Sequence, residues 1–324
     1  MNQFTPLVTI VIPVFNREWC LSVCLESVVR QTYTNLQIIV VDDGSTDNSY
    51  VICQDYQKRD KRIICIKTEN GGPGRARNIG ISQSCGKYIT FIDSDDSVDR
   101  DYIRKMVEAA EKNNADLVVC NIYDVYTRNN VKQMRQIKGT LTGEFNKDFI
   151  LLFDLLKNVA IKLFKMDIIR YNKIKFNTNI FYGEDQLFNL DYYRYVKQYA
   201  YIDEPCYYYY HRTNIVNSYN EHSFMAMIEK IKKEKCILKE IGIIGINNIL
   251  NLEIVCELRN SIIREPKKIS FKEFCERVQI IRPLLMKNSS YVSLKNKIII
   301  FFLKQDFILP LFVYYSCKRW YQSE

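Results

Sequence analysis

Apolar and polar positions fall in blocks along the first 125 residues. Leu7–Phe15 (LVTIVIPVF), Leu36–Val41 (LQIIVV) and Tyr88–Ile92 (YITFI) are almost wholly apolar, with further runs at Arg62–Lys67 and Asp116–Tyr123. Such runs, rich in β-branched and aromatic residues, predict strands buried on both faces. Between them the spacing changes to helical. Asn16 suits a cap, and Leu21, Cys24, Leu25, Val28 and Val29 follow it on one face. Further helices are predicted from Ser45 or Thr46 to about Arg59, over Arg75–Ser84 and over Asp99–Asn113. The expected fold is therefore α/β, a mostly parallel, Rossmann-like sheet with helices on both faces. In such sheets ligands bind off the carboxyl ends of the strands. The polar clusters sit at those ends: Asn16-Arg17, Asp42-Asp43, Thr68–Arg77 and Asp93–Asp96.

The pattern changes beyond this half. Tyr126–Lys138 is polar and reads as a loop or edge element, Glu144–Lys157 as a helix, and Cys206–Arg212 (CYYYYHR) as a strand entering a loop. From Glu221 onward Ile, Leu, Lys and Glu recur at helical spacing, giving helices near 221–241, 246–264, 270–287 and 292–316. The expected division is an α/β domain over 1–219, with halves 1–125 and 126–219, and an all-helical appendage over 220–324. Ile298–Tyr315 approaches the length of a membrane span, but Lys304, Gln305, Asp306 and Pro310 interrupt it. Each central charge would cost roughly 2.5–3.5 kcal/mol on insertion. A buried bundle, a homo-oligomer surface or peripheral membrane contact suits it better, since Lys295, Lys297, Lys318 and Arg319 flank it.

Composition narrows the chemistry. With 324 residues, 47% of them hydrophobic, the chain can bury a sizeable core. Its 11 cysteines include no C-x-x-C pair and there are only two histidines, so no zinc framework is legible. Scattered cysteines without an export signal before the first strand lead us to expect a cytoplasmic protein, at most peripheral at the inner face of a membrane. The net charge of +9 favours anionic partners. No zinc-finger spacing or RNA-binding aromatic signature is present, so nucleic acid is not expected. No G-x-G-x-x-G follows the first strand, only PVFNRE, and there is no G-x-x-x-x-G-K-[ST] loop. A diphosphate would then be held by something else. Asp93, Ser94, Asp95 and Asp96 end the strand YITFI. Clustered carboxylates repel one another unless a cation sits among them, and a divalent metal carrying a diphosphate meets that need. The plain alternative is a solvated acidic turn.

The four stretches TIVIPVFNRE, IIVVDDGSTD, ENGGPGRARNIGI and YITFIDSDD, in this order, resemble the nucleotide-sugar half of family 2 glycosyltransferases, with the GT-A fold. The resemblance implies roles residue by residue. Pro13, Val14 and Asn16 would border the nucleoside, and Asp42, or else Asp43, would accept a hydrogen bond from the base. Arg77 and Asn78 would lie against the nucleotide, Asp93 and Ser94 near the ribose, and Asp95 on an Mn2+ or Mg2+ ion bridging the phosphates. Asp96 would orient the others. VAIKLFKM resembles the family's K-L-[YF]-[RK] segment, with Lys162 facing the acceptor or a phosphate, or holding the fold by an ion pair. FYGEDQ matches the family's E-D pair, which makes Asp185 the general base and Glu184 its neighbour. Carboxylates at a helix N-terminus are otherwise accounted for by the helix dipole. His211 would complete the metal site, and Arg212 would neutralise the leaving diphosphate. Tyr207–Tyr210 would stack on sugars or pack under the sheet.

The expected activity is metal-dependent, inverting transfer of a hexose from a nucleotide sugar, with UDP-glucose or UDP-galactose the leading donors. The acceptor would be a glycan, glycopeptide or lipid-linked molecule in bacterial polysaccharide or glycoprotein synthesis. Two alternatives stand beside it. A sugar nucleotidyltransferase calls for a phosphate loop after the first strand, which is missing. A non-catalytic scaffold that recruits a partner enzyme has no need of intact acidic motifs.

Overall fold

The computed structural model describes residues 5–127, 131–137, 139–179, 183–211, 221–243, 250–251, 253–254, 258, 270–281 and 283. The chain forms two compact units, Met1–Thr213 and Asn214–Glu324.

In the first unit the apolar runs become strands β1 (Val8–Val14), β2 (Leu36–Asp42), β3 (Ile63–Lys67) and β4 (Tyr88–Phe91). They pair in parallel in the order β3-β2-β1-β4. Every residue of β1 is buried, as its almost wholly apolar sequence requires, and its one polar side chain, Thr9, donates its hydroxyl to Gln37 Oε1 at 2.8 Å. Helices α1 (Leu21–Val29), α2 (Ser49–Arg59), α3 (Pro73–Gln83) and α4 (Tyr102–Asn113) accompany them. The second helix begins at Ser49, later than Ser45 or Thr46, because Ser45 is used in the preceding loop. α3 packs on β1 through Gly80, where an added Cβ would lie 2.3 Å from Cγ1 of Val11. That contact seats the helix directly over the central strand.

Beyond β4 the sheet turns mixed. Strands β5 (Ser97–Val98), β6 (Leu117–Tyr126), β7 (Val131–Met134), β8 (Lys162–Lys165) and β9 (Tyr199–His211) complete a sheet of nine strands among the described residues. β8 inserts between β4 and β6, antiparallel to both, whereas β6 and β9 run parallel. The mostly parallel order expected holds over β3-β2-β1-β4 and again between β6 and β9, and β8 reverses within it. Doubly buried strands are apolar whichever way their partners run, so the sequence pattern carries no sign of this reversal. The polar stretch after Tyr126 supplies β7, an edge strand on β6. β9 extends well upstream of Cys206 and passes through Asp203-Glu204-Pro205, where the pairing with β6 shifts register. A bulge is where a strand tolerates proline.

Helices α5 (Phe145–Leu156), α6 (Met166–Tyr171) and α7 (Glu184–Tyr193) cover this half. Phe91 of β4, Phe164 of β8, Phe176 and Phe188 of α7 meet edge to face, and Phe176 and Phe188 stack with centroids 4.0 Å apart. This aromatic core fixes the start of α7 against the end of β4.

The second unit contains α8 (Glu221–Glu240) and α9 (Phe271–Ile281). Their apolar faces, Phe224, Ile228 and Ile231 on one and Phe274, Val278 and Ile281 on the other, are buried, and Arg277 lies over the ring of Phe224. Leu250, Ile254 and Leu258 are buried at helical spacing between them in sequence. No helix among the described residues is long and apolar enough to cross a membrane. Ile298–Tyr315 lies outside the described residues.

Candidate active site

Three loops meet at the carboxyl ends of β1, β2 and β4. Asn16, just past β1, takes a positive φ of 51°, which asparagine tolerates better than most residues. Its backbone N–H donates to Ser45 Oγ at 3.0 Å, and its Oδ1 accepts from Thr46 N at 2.9 Å. The side chain expected to border the nucleoside therefore ties the β1 loop to the β2 loop. Pro13 and Val14 are buried strand residues. Beyond them Phe15 and Trp19 are exposed large hydrophobic side chains of this loop.

Asp42 and Asp43 divide their labour. Asp43 accepts the Gly71 and Gly72 N–H groups at 2.9 and 2.7 Å, one on each oxygen. Burial raises its pKa against the pull of those two bonds. Asp42 accepts Ser45 N on Oδ1 at 3.1 Å, and its Oδ2 is buried without a hydrogen-bond partner in the protein. An orphaned buried carboxylate oxygen is costly, and a ligand N–H would satisfy it. Of the two residues, Asp42 has the acceptor to offer.

The loop that Asp43 holds opens α3, and α3 carries Arg77 into the centre of the site. Arg77 is almost fully buried, yet its guanidinium reaches three carboxylates. Nη1 donates to Asp185 Oδ1 at 2.7 Å and to Glu184 Oε1 at 3.4 Å, and Nη2 donates to Asp93 Oδ1 at 2.9 Å. The planar fork of five N–H donors makes such bridging geometry available to arginine alone. Its charge centre lies 5.4 Å from the Phe176 ring. Burial alone would lower the pKa of this group, but Asp185, Asp93 and Glu184 outweigh it and hold the charge in place. The acidic ends of β4 and α7, about ninety residues apart in the chain, thus share one cation.

Gly183 enters α7 at φ 82°, a conformation that suits glycine, and the E-D pair follows at once. Burial, and then the charge of Asp185, push the Glu184 pKa up to about 7. Burial also raises Asp185, with Arg77 opposing and Asp93 adding to the shift. Asp185 keeps 26% of its side-chain surface accessible. A carboxylate raised in pKa, accessible and held by an arginine has the properties of a general base.

Asn78, the neighbour of Arg77, is committed elsewhere: Nδ2 donates to Phe176 O at 2.9 Å and Oδ1 accepts Phe176 N at 2.8 Å. It anchors the segment before α7. Ser94 is buried, and its carbonyl accepts a weak bond from Cys20 Sγ. Asp96 is buried too, accepting from the Tyr207 hydroxyl at 2.8 Å and from Tyr210 N at 3.0 Å. Burial, then Asp93, raise its pKa well above the ordinary carboxylate range. The Tyr207 hydroxyl also receives Asp93 N at 3.2 Å, so this tyrosine clamps both ends of the acidic turn. Tyr208 instead stacks on Tyr123.

Asp95 is half-buried, with Oδ2 3.7 Å from Nε of Arg17. His211, expected to complete the metal site, pairs with Asp124: its Nε2 is 2.7 Å from Asp124 Oδ1 and its ring stacks on Tyr126. Arg135 donates to the same Asp124 through Nε and Nη2. These bonds hold the Asp124 pKa below its ordinary value even though burial raises it. Arg212 lies outside the described residues. Among the described residues no group of three or more His, Cys, Asp or Glu is placed to hold a metal by itself. The donor chemistry at Asp95 fits a hard cation that takes one or two carboxylates and fills its shell with phosphate oxygens and water.

Sequence reasoning put Arg17 in a polar cluster at a strand end and left Tyr207 between sugar stacking and packing; it missed Phe176 and the bonds Tyr207 makes to the acidic turn. An aromatic in a run of tyrosines and a phenylalanine in a loop carry no local signal of what they will touch. Lys162, expected to face a substrate or hold an ion pair, is buried and donates to the carbonyls of Leu155 at 2.7 Å and of Asn158.

The model of "Glycosyl transferase family 2" matches residues 9–183. The uncharacterized glycosyltransferase EpsJ of Bacillus subtilis (strain 168) is 34% identical over 237 residues, 71% of this chain and 67% of that protein. The poly(ribitol-phosphate) beta-glucosyltransferase of Bacillus spizizenii is 33% identical over 225 residues, 68% of this chain but 34% of that enzyme. Other curated relatives are matched over as little as 17% of their length. The crystal structure of S. aureus TarS 1-349 in complex with UDP-GlcNAc superposes with a TM-score of 0.57 at 20% identity, covering 86% of this chain and 71% of that one. The family match takes in β1 to β4 and the acidic turn after β4 and stops at Gly183, just before the E-D pair, and the chain belongs to glycosyltransferase family 2, with the GT-A fold.

Proposed function

We propose that this protein transfers a hexose, with inversion, from a UDP-sugar to a hydroxyl of a glycan acceptor. The observation that carries the reading is the convergence of Asp93, Glu184 and Asp185 on Arg77. One cation links the acidic turn, where a diphosphate would leave, to the carboxylate that would take the acceptor proton. Asp42 would receive the base N–H on its unpartnered Oδ2.

In the reaction the acceptor oxygen attacks the anomeric carbon on the face opposite the diphosphate. Asp185 takes the hydroxyl proton as the new C–O bond forms, and the electrons of the breaking bond leave on the diphosphate. Glu184, with its pKa near neutrality, carries part of the local proton load and so limits repulsion at Asp185. Arg77 keeps the base aligned. Asp95 would hold Mn2+ or Mg2+, which when bound supplies positive charge to the leaving diphosphate.

UDP-glucose, UDP-galactose and UDP-GlcNAc are the donors to try first, given the relative named as a glucosyltransferase and the UDP-GlcNAc complex of TarS. A net charge of +9 suits a phosphate-rich or lipid-linked acceptor. In this reading residues 1–219 carry donor and acceptor sites, and 220–324 serves oligomer, acceptor or membrane contact. The test is donor hydrolysis and transfer with and without Mn2+. Asp185→Asn is expected to bind UDP normally and lose transfer, and Asp95→Asn to lose metal-dependent donor binding. Normal turnover by Asp185→Asn, or no binding of any UDP-sugar, overturns the reading.

A further inference from the structure

Arg17 stands in the loop between β1 and α1, and its backbone is fixed on both sides. Its N–H donates to Ser49 Oγ at 2.7 Å, and its carbonyl accepts the N–H groups of Cys20 and Leu21 at 3.0 and 2.9 Å. The side chain is fixed as well. Nη1 donates to the carbonyls of Phe15 and Asn16, each at 3.1 Å, and Nε lies 3.7 Å from Asp95 Oδ2. These contacts use Nη1 and Nε; among the described residues none falls to Nη2. The side chain keeps 32% of its surface accessible.

Stability does not account for this arrangement. A pair as accessible as Arg17 and Asp95 adds little, and holding a long side chain in one conformation costs entropy. What the contacts produce is a rigid guanidinium between the loop after β1 and the acidic turn after β4, with donors to spare. The other arginine at this turn has none to spare in the same way: Arg77 is almost fully buried and divides Nη1 and Nη2 among Asp93, Glu184 and Asp185. A diphosphate arriving beside Asp93 and Asp95 brings negative charge to a turn that already carries it. The residues after β1, PVFNRE, form no glycine loop to offset that charge with backbone N–H groups. A guanidinium with an uncommitted N–H₂ offsets it and adds directed, charge-assisted hydrogen bonds. Arg17 and a metal ion on Asp95 would repel each other, and phosphate oxygens shared by both remove that repulsion.

We propose that Arg17 is a donor-binding residue whose guanidinium takes the diphosphate of the nucleotide sugar. Nε and Nη1 hold the group in place, and Nη2 supplies hydrogen bonds to phosphate oxygen. This rests on the reading of the protein as a UDP-sugar transferase and names a side chain that distinguishes the diphosphate from the nucleoside.

The experiment titrates the full chain and its Arg17→Gln variant with uridine, UMP and UDP in the presence of Mn2+. Arg17→Gln removes the charge and keeps an N–H₂ group. It is expected to weaken UDP at least about 10-fold, the worth of a hydrogen bond to a charged group, and UMP by less, with uridine within about twofold of the parent. A second measurement needs no variant and serves alone should Arg17→Gln fail to fold. Phenylglyoxal modification of Arg17 in the parent, read by mass spectrometry, should be blocked by saturating UDP with Mn2+ and proceed in saturating uridine. UDP affinity of folded Arg17→Gln within about threefold of the parent overturns the proposal. So does a parallel loss for uridine, which would make Arg17 a staple of the nucleoside loop. Tighter UDP binding also overturns it, since Arg17 would then only compete with the metal for Asp95. Modification that UDP does not slow has the same force. If the parent binds UDP and any of these results follows, this proposal falls alone. If the parent binds no UDP, the donor reading falls with it.

Discussion

Replacing Arg77 by methionine keeps the length of the side chain over Phe176 and removes the charge between Asp93, Glu184 and Asp185. At the 2.7 Å separation from Asp185, a pair interacts by about 6 kcal/mol at an effective dielectric constant of about 20. Desolvation of the guanidinium offsets much of that, and breaking such a buried pair costs about 3–5 kcal/mol net because carboxylates are left facing one another. Against a typical total of about 5–15 kcal/mol, the variant should fold but unfold early in urea. The loss must depend on pH. Glu184 and Asp185 already have raised pKa values with Arg77 in place, and without it both rise further. At pH 5 Glu184 would be largely protonated, so the variant should recover at least about 1.4 kcal/mol relative to pH 8, the worth of one pKa unit. Urea unfolding followed by circular dichroism at the two pH values gives the difference directly. Arg77→Lys should fall between, since a single ammonium cannot bridge three carboxylates. An Arg77→Met penalty that is equal at pH 5 and pH 8, or below about 1 kcal/mol at both, refutes the idea that Arg77 neutralises this cluster.

Three further outcomes are expected. Glu184 has a folded pKa near 7, above its unfolded value, so the native state binds the extra proton and stability falls as pH rises from about 4.5 to 7; Glu184→Gln should flatten this slope in urea titrations across that window, and an unchanged slope counts against the assignment. Asp42→Asn puts an N–H where the unpartnered Oδ2 now sits and should weaken UDP binding about 10- to 100-fold by calorimetry; unaltered affinity means that the base is read elsewhere. Gly80→Ala drives a methyl group against Val11 and should cost about 1–3 kcal/mol and lower the melting temperature, with donor affinity reduced only as far as α3 shifts; a neutral effect would show that helix and strand can move apart freely.

The sequence by itself determined the elements of the first half and the ends at which polar groups gather. A strand such as Val8–Val14, apolar at every position but Thr9, is buried on both faces, and the acidic and asparagine-rich stretches then lie beyond its end. The Asp93–Asp96 turn was legible because carboxylates closing an apolar run are costly without a partner, whereas the parts given to Asp42 and to the Glu184-Asp185 pair came from the family resemblance. Which partner each would have was not legible. Tertiary structure decided that Asn16, Asp43, Asn78 and Asp96 spend their polar groups on the backbone of neighbouring loops, that His211 pairs with Asp124, and that Arg77 is the cation for three carboxylates. It also decided the reversal at β8. The physical reason is common to all of these. Burial and periodicity act along the chain and leave a trace in it, whereas a hydrogen bond between residues a hundred positions apart depends on where two backbones have already been brought together.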